Sequence, residues 1–178
     1  MEYRAKRTQN RAGFTLLELM ICVAIVGTLA AIAIPLLTSY QLRSKSAEAK
    51  TNLGGIRVLE ETYYSENQTY RSANAEPAAI PGTVPTTFDS AGSDFAVLGF
   101  APQGRVYFSY GIAVSADGTG YTADAGSDID GDGVIQYWAY ANRDGNGAMI
   151  AGKVGCDVTA VVPETVGPCT PSSGQSVF

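Results

Sequence analysis

The chain has 178 residues, 46% of them hydrophobic and 16% charged, with a net charge of −5. It contains no histidine, which removes the commonest general base and the commonest metal ligand. The acidic balance argues against a nucleic-acid partner, which needs a basic face, and the length suits one domain with a long appendage.

These averages hide a division along the chain. Residues 1–13 carry Arg4, Lys6, Arg7 and Arg11 against Glu2, so the remainder from Phe14 onward bears a charge of −8. Residues 14–37 are almost wholly apolar, and Leu19 to Leu37 hold no charge. As a helix, the run from Phe14 to Leu37 is about 36 Å long, against roughly 30 Å of hydrocarbon in a bilayer. It exceeds the roughly 7–15 apolar residues of an ordinary secretory signal, and no clear small-x-small site follows it. The sequence therefore predicts a single membrane anchor. The basic leader stays cytoplasmic and the C-terminal part is exported.

Glu18 stands at the mouth of this run. A carboxylate inside a bilayer costs about 2.5–3.5 kcal/mol on insertion scales when fully central, which marks it as a functional candidate. The macrodipole alone would also favour an acid in a first helical turn. Cleavage after the small residue Gly13 would free an α-amine on Phe14. Within one helix the two groups are poorly placed to pair. Between staggered copies, Glu18 could meet the Phe14 amine of the next chain and set an axial register, since a mismatch would leave a buried charge unpaired.

The stretch Arg11-Ala12-Gly13-Phe14-Thr15-Leu16-Leu17-Glu18 resembles the prepilin peptidase site of type IV pilins and type II secretion pseudopilins. The resemblance implies that a membrane aspartyl peptidase cuts after Gly13 and methylates the new amine on Phe14. It also makes Glu18 the family's fifth mature residue, and Pro35 the proline that breaks the helix about two thirds of the way across. The segment Arg43-Ser44-Lys45-Ser46-Ala47-Glu48-Ala49-Lys50-Thr51-Asn52-Leu53 is similar to the one that follows in type IVa pilins. The likeness is specific over residues 11–66 and more general beyond.

From residue 38 to 66 the pattern turns amphipathic. Leu42, Ala49, Leu53, Ile56, Leu59 and Tyr63 form one helical stripe, with Arg43, Lys45, Glu48, Lys50 and Glu60 assigned to the opposite face. A helix from Phe14 to about Glu66 would be roughly 80 Å long, which suits bundling of many copies. Pro35 and Gly27 weaken its membrane half. Gly54-Gly55 reads either as a further weak spot or as a close approach to the sheet. Asn67-Gln68-Thr69 fits a glycosylation sequon, but a plain helix C-terminal Asn is the reading preferred here. Tyr63, Tyr64 and Tyr70 form an aromatic cluster suited to helix-to-sheet packing.

Residues 67–104 read as a connecting loop, rich in proline and short polar clusters around Phe88, Phe95 and Phe100. Residues 105–155 read as an antiparallel sheet. Val106 to Val114 is one strand, Asp117-Gly118 a turn, Tyr121-Thr122 the start of a return strand, Ile135 to Tyr140 another, and Ala148 to Val154 a fourth. Cys156 and Cys169 bound the last region, 156–178. They read either as free thiols or as a disulfide, worth roughly 3 kcal/mol for so short a loop and requiring an oxidising compartment. Cys22 is a small hydrophobe within the apolar run. The whole resembles the α+β pilin fold: a long N-terminal helix, with a membrane half and an amphipathic half, packed on a small antiparallel sheet with a C-terminal disulfide loop.

Asp128, Asp130 and Asp132 alternate along a Gly-containing turn. Such carboxylates suit Ca²⁺, which takes 6–8 oxygen ligands, and the loop is similar to calcium loops of major pseudopilins. Counted as an EF-hand from Asp128, position 12 is Ala139, so the bidentate acid is missing. Asn142, Asp144 and Asn146 repeat the pattern at the other end of the strand between. Both loops also read as Asp/Asn-Gly turns that need positive φ.

With no His and no Ser or Cys nucleophile beside a base, the sequence names no catalytic constellation and predicts no enzyme. The resemblance implies the structural subunit of a type IV pilus. Its partners would be further copies of itself (a homopolymer), a prepilin peptidase, a pilus assembly platform and the inner membrane before assembly. No cofactor is implied beyond candidate Ca²⁺. The alternatives are a major pseudopilin of a type II secretion system and a membrane-anchored calcium-binding module.

Overall fold

The computed structural model describes residues 13–170; the leader residues 1–12 and the last eight residues of the 156–178 region lie outside them. One helix, α1, runs Leu16–Asn67. The chain divides into two units within α1, between Thr38 and Ser39.

In the first unit α1 begins after Thr15, whose hydroxyl accepts the Glu18 N–H at 3.2 Å. Thr15 thus caps the helix N-terminus, with Glu18 at the N3 position. The apolar side chains from Phe14 to Leu37 are exposed around the whole circumference: Phe14 is 77% exposed, Ile25 55% and Leu37 59%. The helix is continuous through Pro35, so the expected break is absent. Proline removes one N–H from the ladder, and nearby the Thr38 hydroxyl donates to the Pro35 carbonyl at 2.8 Å.

In the second unit, the rest of α1 packs on a five-stranded antiparallel sheet. The strands are β1 (Ala73–Glu76), β4 (Ser109–Val114), β5 (Tyr121–Ser127), β6 (Gln136–Asn142) and β7 (Gly167–Pro168), in that spatial order. A two-residue ribbon joins β2 (Thr86–Thr87) to β3 (Arg105–Val106). Ala49, Leu53 and Ile56 are fully buried against the sheet, and Leu42, Leu59 and Tyr63 pack at its margin. Tyr64 stacks on Tyr70 at 4.5 Å, and Tyr70 meets Tyr121 at 4.4 Å, so the tyrosine cluster joins helix to sheet. The helix closes with Gln68 at φ 59°, its N–H bonded to the Tyr64 carbonyl. Gly55 would bring a Cβ only to 3.9 Å from Phe100, and Gly54 faces open space, so neither glycine is required by close packing.

The central strand β5 is buried along its whole length because both its faces are covered. Tyr121, Ala123 and Ala125 join the core under the helix. Thr122 and Asp124 meet the segment that follows β6: the Thr122 hydroxyl donates to the Ile150 carbonyl at 2.7 Å, and the Asp124 carboxylate accepts N–H groups from residues 153–156. Close approach demands small residues here. A Cβ on Gly111 of β4 would lie 2.8 Å from the Lys153 Cβ.

This arrangement corrects three expectations. Residues 148–154 form no strand, because the amides at their end serve Asp124 instead of a ladder. The sheet's last strand is β7, beyond the first cysteine. The expected loop 67–104 contributes β1, β2 and a core cluster in which Phe88 meets Phe95 at 5.3 Å and Phe100 at 5.5 Å. The helix face assigned to solvent also holds Glu60, which is fully buried, and Glu48, which is half-buried.

Candidate functional site

The N-terminal candidates lie in the first unit. Gly13 and Phe14 precede α1 in exposed, non-helical backbone. Glu18 is exposed in the first helical turn, with its backbone N–H already capped by Thr15. Pro35 lies in the same apolar helix, and Cys22 is exposed and free. Nothing in this stretch is buried within a single chain. So large an apolar surface requires lipid or other copies to cover it. Arg11, Ala12 and the basic leader fall outside the described residues.

The acidic loop lies in the second unit, between β5 and β6. Asp128, Asp130 and Asp132 bring carboxylate oxygens within 4.8 Å of one another. Asp128 is half-buried and the other two are exposed. Asp128 Oδ1 and Oδ2 accept the N–H groups of Gly131 and Gly133 at 2.9 and 3.2 Å, and Asp132 Oδ1 accepts that of Val134 at 2.7 Å. Gly131 and Gly133 adopt φ of 79° and 86°, as Asp-Gly turns require. Partial desolvation, then the neighbouring charges of Asp132 and Asp128, push the Asp130 carboxyl up. Three converging carboxylates could supply some of the oxygens a divalent cation needs. The EF-hand position 12, Ala139, is buried in β6 and offers no ligand. Asn142, Asp144 and Asn146 stand at the opposite end of β6, and Asp144 Oδ1 there accepts the N–H groups of Asn146 and Ala148. The two loops do not converge.

Cys156 and Cys169 form a disulfide, with Cα atoms 5.5 Å apart. Both are buried and pack with Ala139, Ala141 and Val161 in a small cluster on the sheet face away from α1. Asp124 anchors the start of this region. Its oxygens accept N–H groups from Lys153, Val154, Gly155 and Cys156 at 2.8–3.1 Å. Burial pushes its carboxyl up, against the pull of these four donors. The sequence signal was slight: one carboxylate among the small residues of a strand.

A second set of side chains missed by sequence reasoning fixes α1 to the sheet. Glu48 Oε1 accepts the Tyr107 N–H and the Tyr110 hydroxyl, both at 3.0 Å, and Asn52 donates to the Tyr110 oxygen at 2.8 Å. Burial raises both Glu48 and Tyr110. The Ser46 hydroxyl donates to Gln136 Oε1 at 2.9 Å. Lys50 and Arg57 lie over the rings of Trp138 and Tyr140, at 4.4 and 5.1 Å from their centroids.

Comparison with known proteins bears on the N-terminal part most directly. Residues 8–34 match the family described as the prokaryotic N-terminal methylation motif. The chain is 40% identical over 109 residues to the type IV major pilin protein PilA of Myxococcus xanthus, covering 61% of this chain and 39% of that protein. It is 45% identical over 76 residues to the fimbrial protein EcpC of Eikenella corrodens, covering 43% of this chain and 49% of that one. It is 54% identical over 46 residues to the type IV major fimbrial protein FimA of Dichelobacter nodosus, covering 26% and 29%. The chain thus spans less than half the length of each of these relatives. The methylation motif and the pilin and fimbrial relatives make the N-terminal part of the chain similar to type IV pilins, and the long helix laid on an antiparallel sheet fits the α+β pilin fold.

Proposed function

We propose that this chain is the structural subunit of a type IV pilus. The observation that carries the reading is an apolar helix, exposed around its circumference and headed by a methylation motif. In this reading a prepilin peptidase cuts after Gly13 and methylates Phe14. The precursor crosses the inner membrane once, with its C-terminus outside the cytoplasm, until an assembly platform draws it into a homopolymer. Glu18 then pairs with the Phe14 amine of the next copy inside an apolar core, where an unpaired charge is strongly unfavourable. Pro35 provides a locally weakened helix within the same core. The role is structural, not catalytic, in keeping with relatives named as pilins and fimbrial proteins. Those names also favour a pilus over a secretion pseudopilus.

Mass analysis of sheared filaments tests the reading. Protomers should begin at N-methylated Phe14, and Glu18→Gln should abolish or severely reduce assembly. Filaments whose protomers still begin at Met1, or that form equally well with Glu18→Gln, would refute it.

Convergence of three carboxylates favours a second, compatible activity: weak Ca²⁺ binding by Asp128, Asp130 and Asp132. Calorimetric titration should show binding that Asp130→Asn/Asp132→Asn abolishes. Identical heats from the parental and doubly substituted chains would exclude it.

A further inference from the structure

Five dipeptides of this chain are of the kind that age through a succinimide: Asp117-Gly118, Asp130-Gly131, Asp132-Gly133, Asp144-Gly145 and Asn146-Gly147. The glycine offers a backbone nitrogen with no Cβ beside it to crowd an attack on the preceding side chain. In that reaction the glycine nitrogen bonds to the side-chain Cγ. The side-chain nitrogen of Asn leaves as ammonia, or one oxygen of Asp leaves as water, and the amide proton goes with it. Water then opens the ring at either carbonyl. One product is an aspartyl link; the other is an isoaspartyl link, whose main chain runs through Cγ and is one methylene longer. A turn lengthened in this way loses its hydrogen-bond register.

All five dipeptides lie in turns of the second unit, between β4 and β5, between β5 and β6, and after β6. In each, the glycine N–H is already held by an acceptor earlier in the chain. Gly118 donates to the Ser115 carbonyl at 3.0 Å and Gly147 to that of Asp144 at 2.9 Å. Gly131 and Gly133 donate to the two oxygens of Asp128 at 2.9 and 3.2 Å. Gly145 donates to Thr119 Oγ1 at 2.7 Å, a bond that spans 26 residues and is therefore no by-product of the local turn. Three of the reactive side chains are also turned away from the glycine. Asp117, Asp132 and Asp144 each use Oδ1 to accept the N–H two residues on, from Thr119, Val134 and Asn146. A glycine nitrogen pinned to an upstream acceptor has to break that bond before it can reach Cγ.

We propose that these hydrogen bonds are a lock against chemical ageing: Thr119 keeps Asp144-Gly145, and Asp128 keeps Asp130-Gly131 and Asp132-Gly133, from closing to succinimides in the folded chain. The lock gives Asp128 a role that needs no cation. It concerns the second unit alone and stands whether or not the chain polymerises. For a subunit of an extracellular filament it sets how long these turns stay intact.

The test incubates the full chain at neutral pH in detergent micelles. EDTA is present to remove any divalent cation that could itself brace the acidic loop. Isoaspartyl links are then measured peptide by peptide, by mass spectrometry after enzymatic methylation of the isoaspartyl carboxylate. Thr119→Val keeps the shape of the side chain and removes the acceptor of Gly145. Isoaspartate at Asp144 should then form about three- to tenfold faster, as loss of one neutral hydrogen bond implies, with Asp130 and Asp132 at the parental rate. Asp128→Ala should do the reverse: Asp130 and Asp132 should age about tenfold faster or more, since their lock is charged, and Asp144 should be unchanged. The parental chain unfolded in urea should age faster at all five dipeptides than the folded chain. Parental rates at the released dipeptides, a rise spread over all five in either variant, or equal rates in the folded and unfolded parent overturns the proposal.

Discussion

The Cys156 N–H donates to Asp124 Oδ2 at 3.1 Å, so the first half-cystine is tied to the middle of the central strand by a carboxylate as well as to Cys169 by sulfur. Three further amides, from Lys153 to Gly155, converge on the same group. Asp124→Ala leaves four N–H groups without their acceptor, two of them at 2.8 and 2.9 Å in the parental chain. The loss should be about 3–5 kcal/mol, since hydrogen bonds to a charged group are worth about 1.5–3 kcal/mol each and do not add fully. Asp124→Asn, which keeps one acceptor oxygen, should lose less. Urea unfolding in detergent micelles, followed by Trp138 fluorescence, gives both values.

Glu60 makes stability depend on pH. It is fully buried, with Oε2 accepting the Arg71 N–H at 2.9 Å and Oε1 without a partner among the described residues. Burial pushes its carboxyl from 4.5 to about 7; the Arg71 N–H opposes the rise and the charge of Glu61 adds to it. Between those two values the folded chain binds more protons than the unfolded one. Stability therefore falls as pH rises from about 4.5 to 7 and levels off above, with a total change of about 3 kcal/mol. Glu60→Gln should flatten that slope, leaving only what the raised carboxyls of Glu48 and Asp124 contribute, and make the chain more stable than the parent at pH 8. Denaturation midpoints measured across this range decide it; a parental profile rising toward pH 7 with no change in Glu60→Gln would refute the assignment.

The helix stripe was legible because its period is local. Ala49, Leu53, Ile56, Glu60 and Tyr63 step by four, three, four and three, so spacing alone places position 60 on the inner face. Its charge assigned it to the polar face, and the actual partner, the Arg71 N–H, lies beyond the helix end. The acidic loop was legible as a turn, since its glycines and Asp-to-amide bonds are confined to a few residues. Asp124 was not, because its partners are backbone amides 29–32 residues away. The same non-local demand on amides kept 148–154 from pairing as a strand despite its β-forming residues. β1 and β7 are short and were hidden by neighbouring prolines, and their pairing depends on the register of β4 and β6.

Reducing the Cys156–Cys169 bond should cost about 3 kcal/mol through the freed loop. Asp124 holds one end of that loop independently, so the two constraints share a segment and should couple. In a double-substitution cycle, Cys156→Ser/Cys169→Ser combined with Asp124→Ala should depart from additivity by more than about 0.5 kcal/mol. Thermal unfolding of the four chains in one detergent measures the coupling. Strict additivity would mean that the carboxylate and the disulfide stabilise separate parts of the fold.

Lys50 and Arg57 both remain exposed although each covers a ring of β6. Their methylene stems shield Trp138 and Tyr140 while their charged ends face solvent, as long basic side chains do. Lys50→Met preserves much of the apolar cover and removes the charge, so its effect isolates the cation–ring attraction. The cost should be about 0.5–1 kcal/mol, the range for exposed pairs, accompanied by a change in Trp138 emission. Lys50→Ala removes the stem as well and should cost more. If the two substitutions proved equally damaging, the ammonium charge would supply nearly all of the stabilisation; if Lys50→Met were silent and Lys50→Ala costly, the contribution would lie in apolar cover alone.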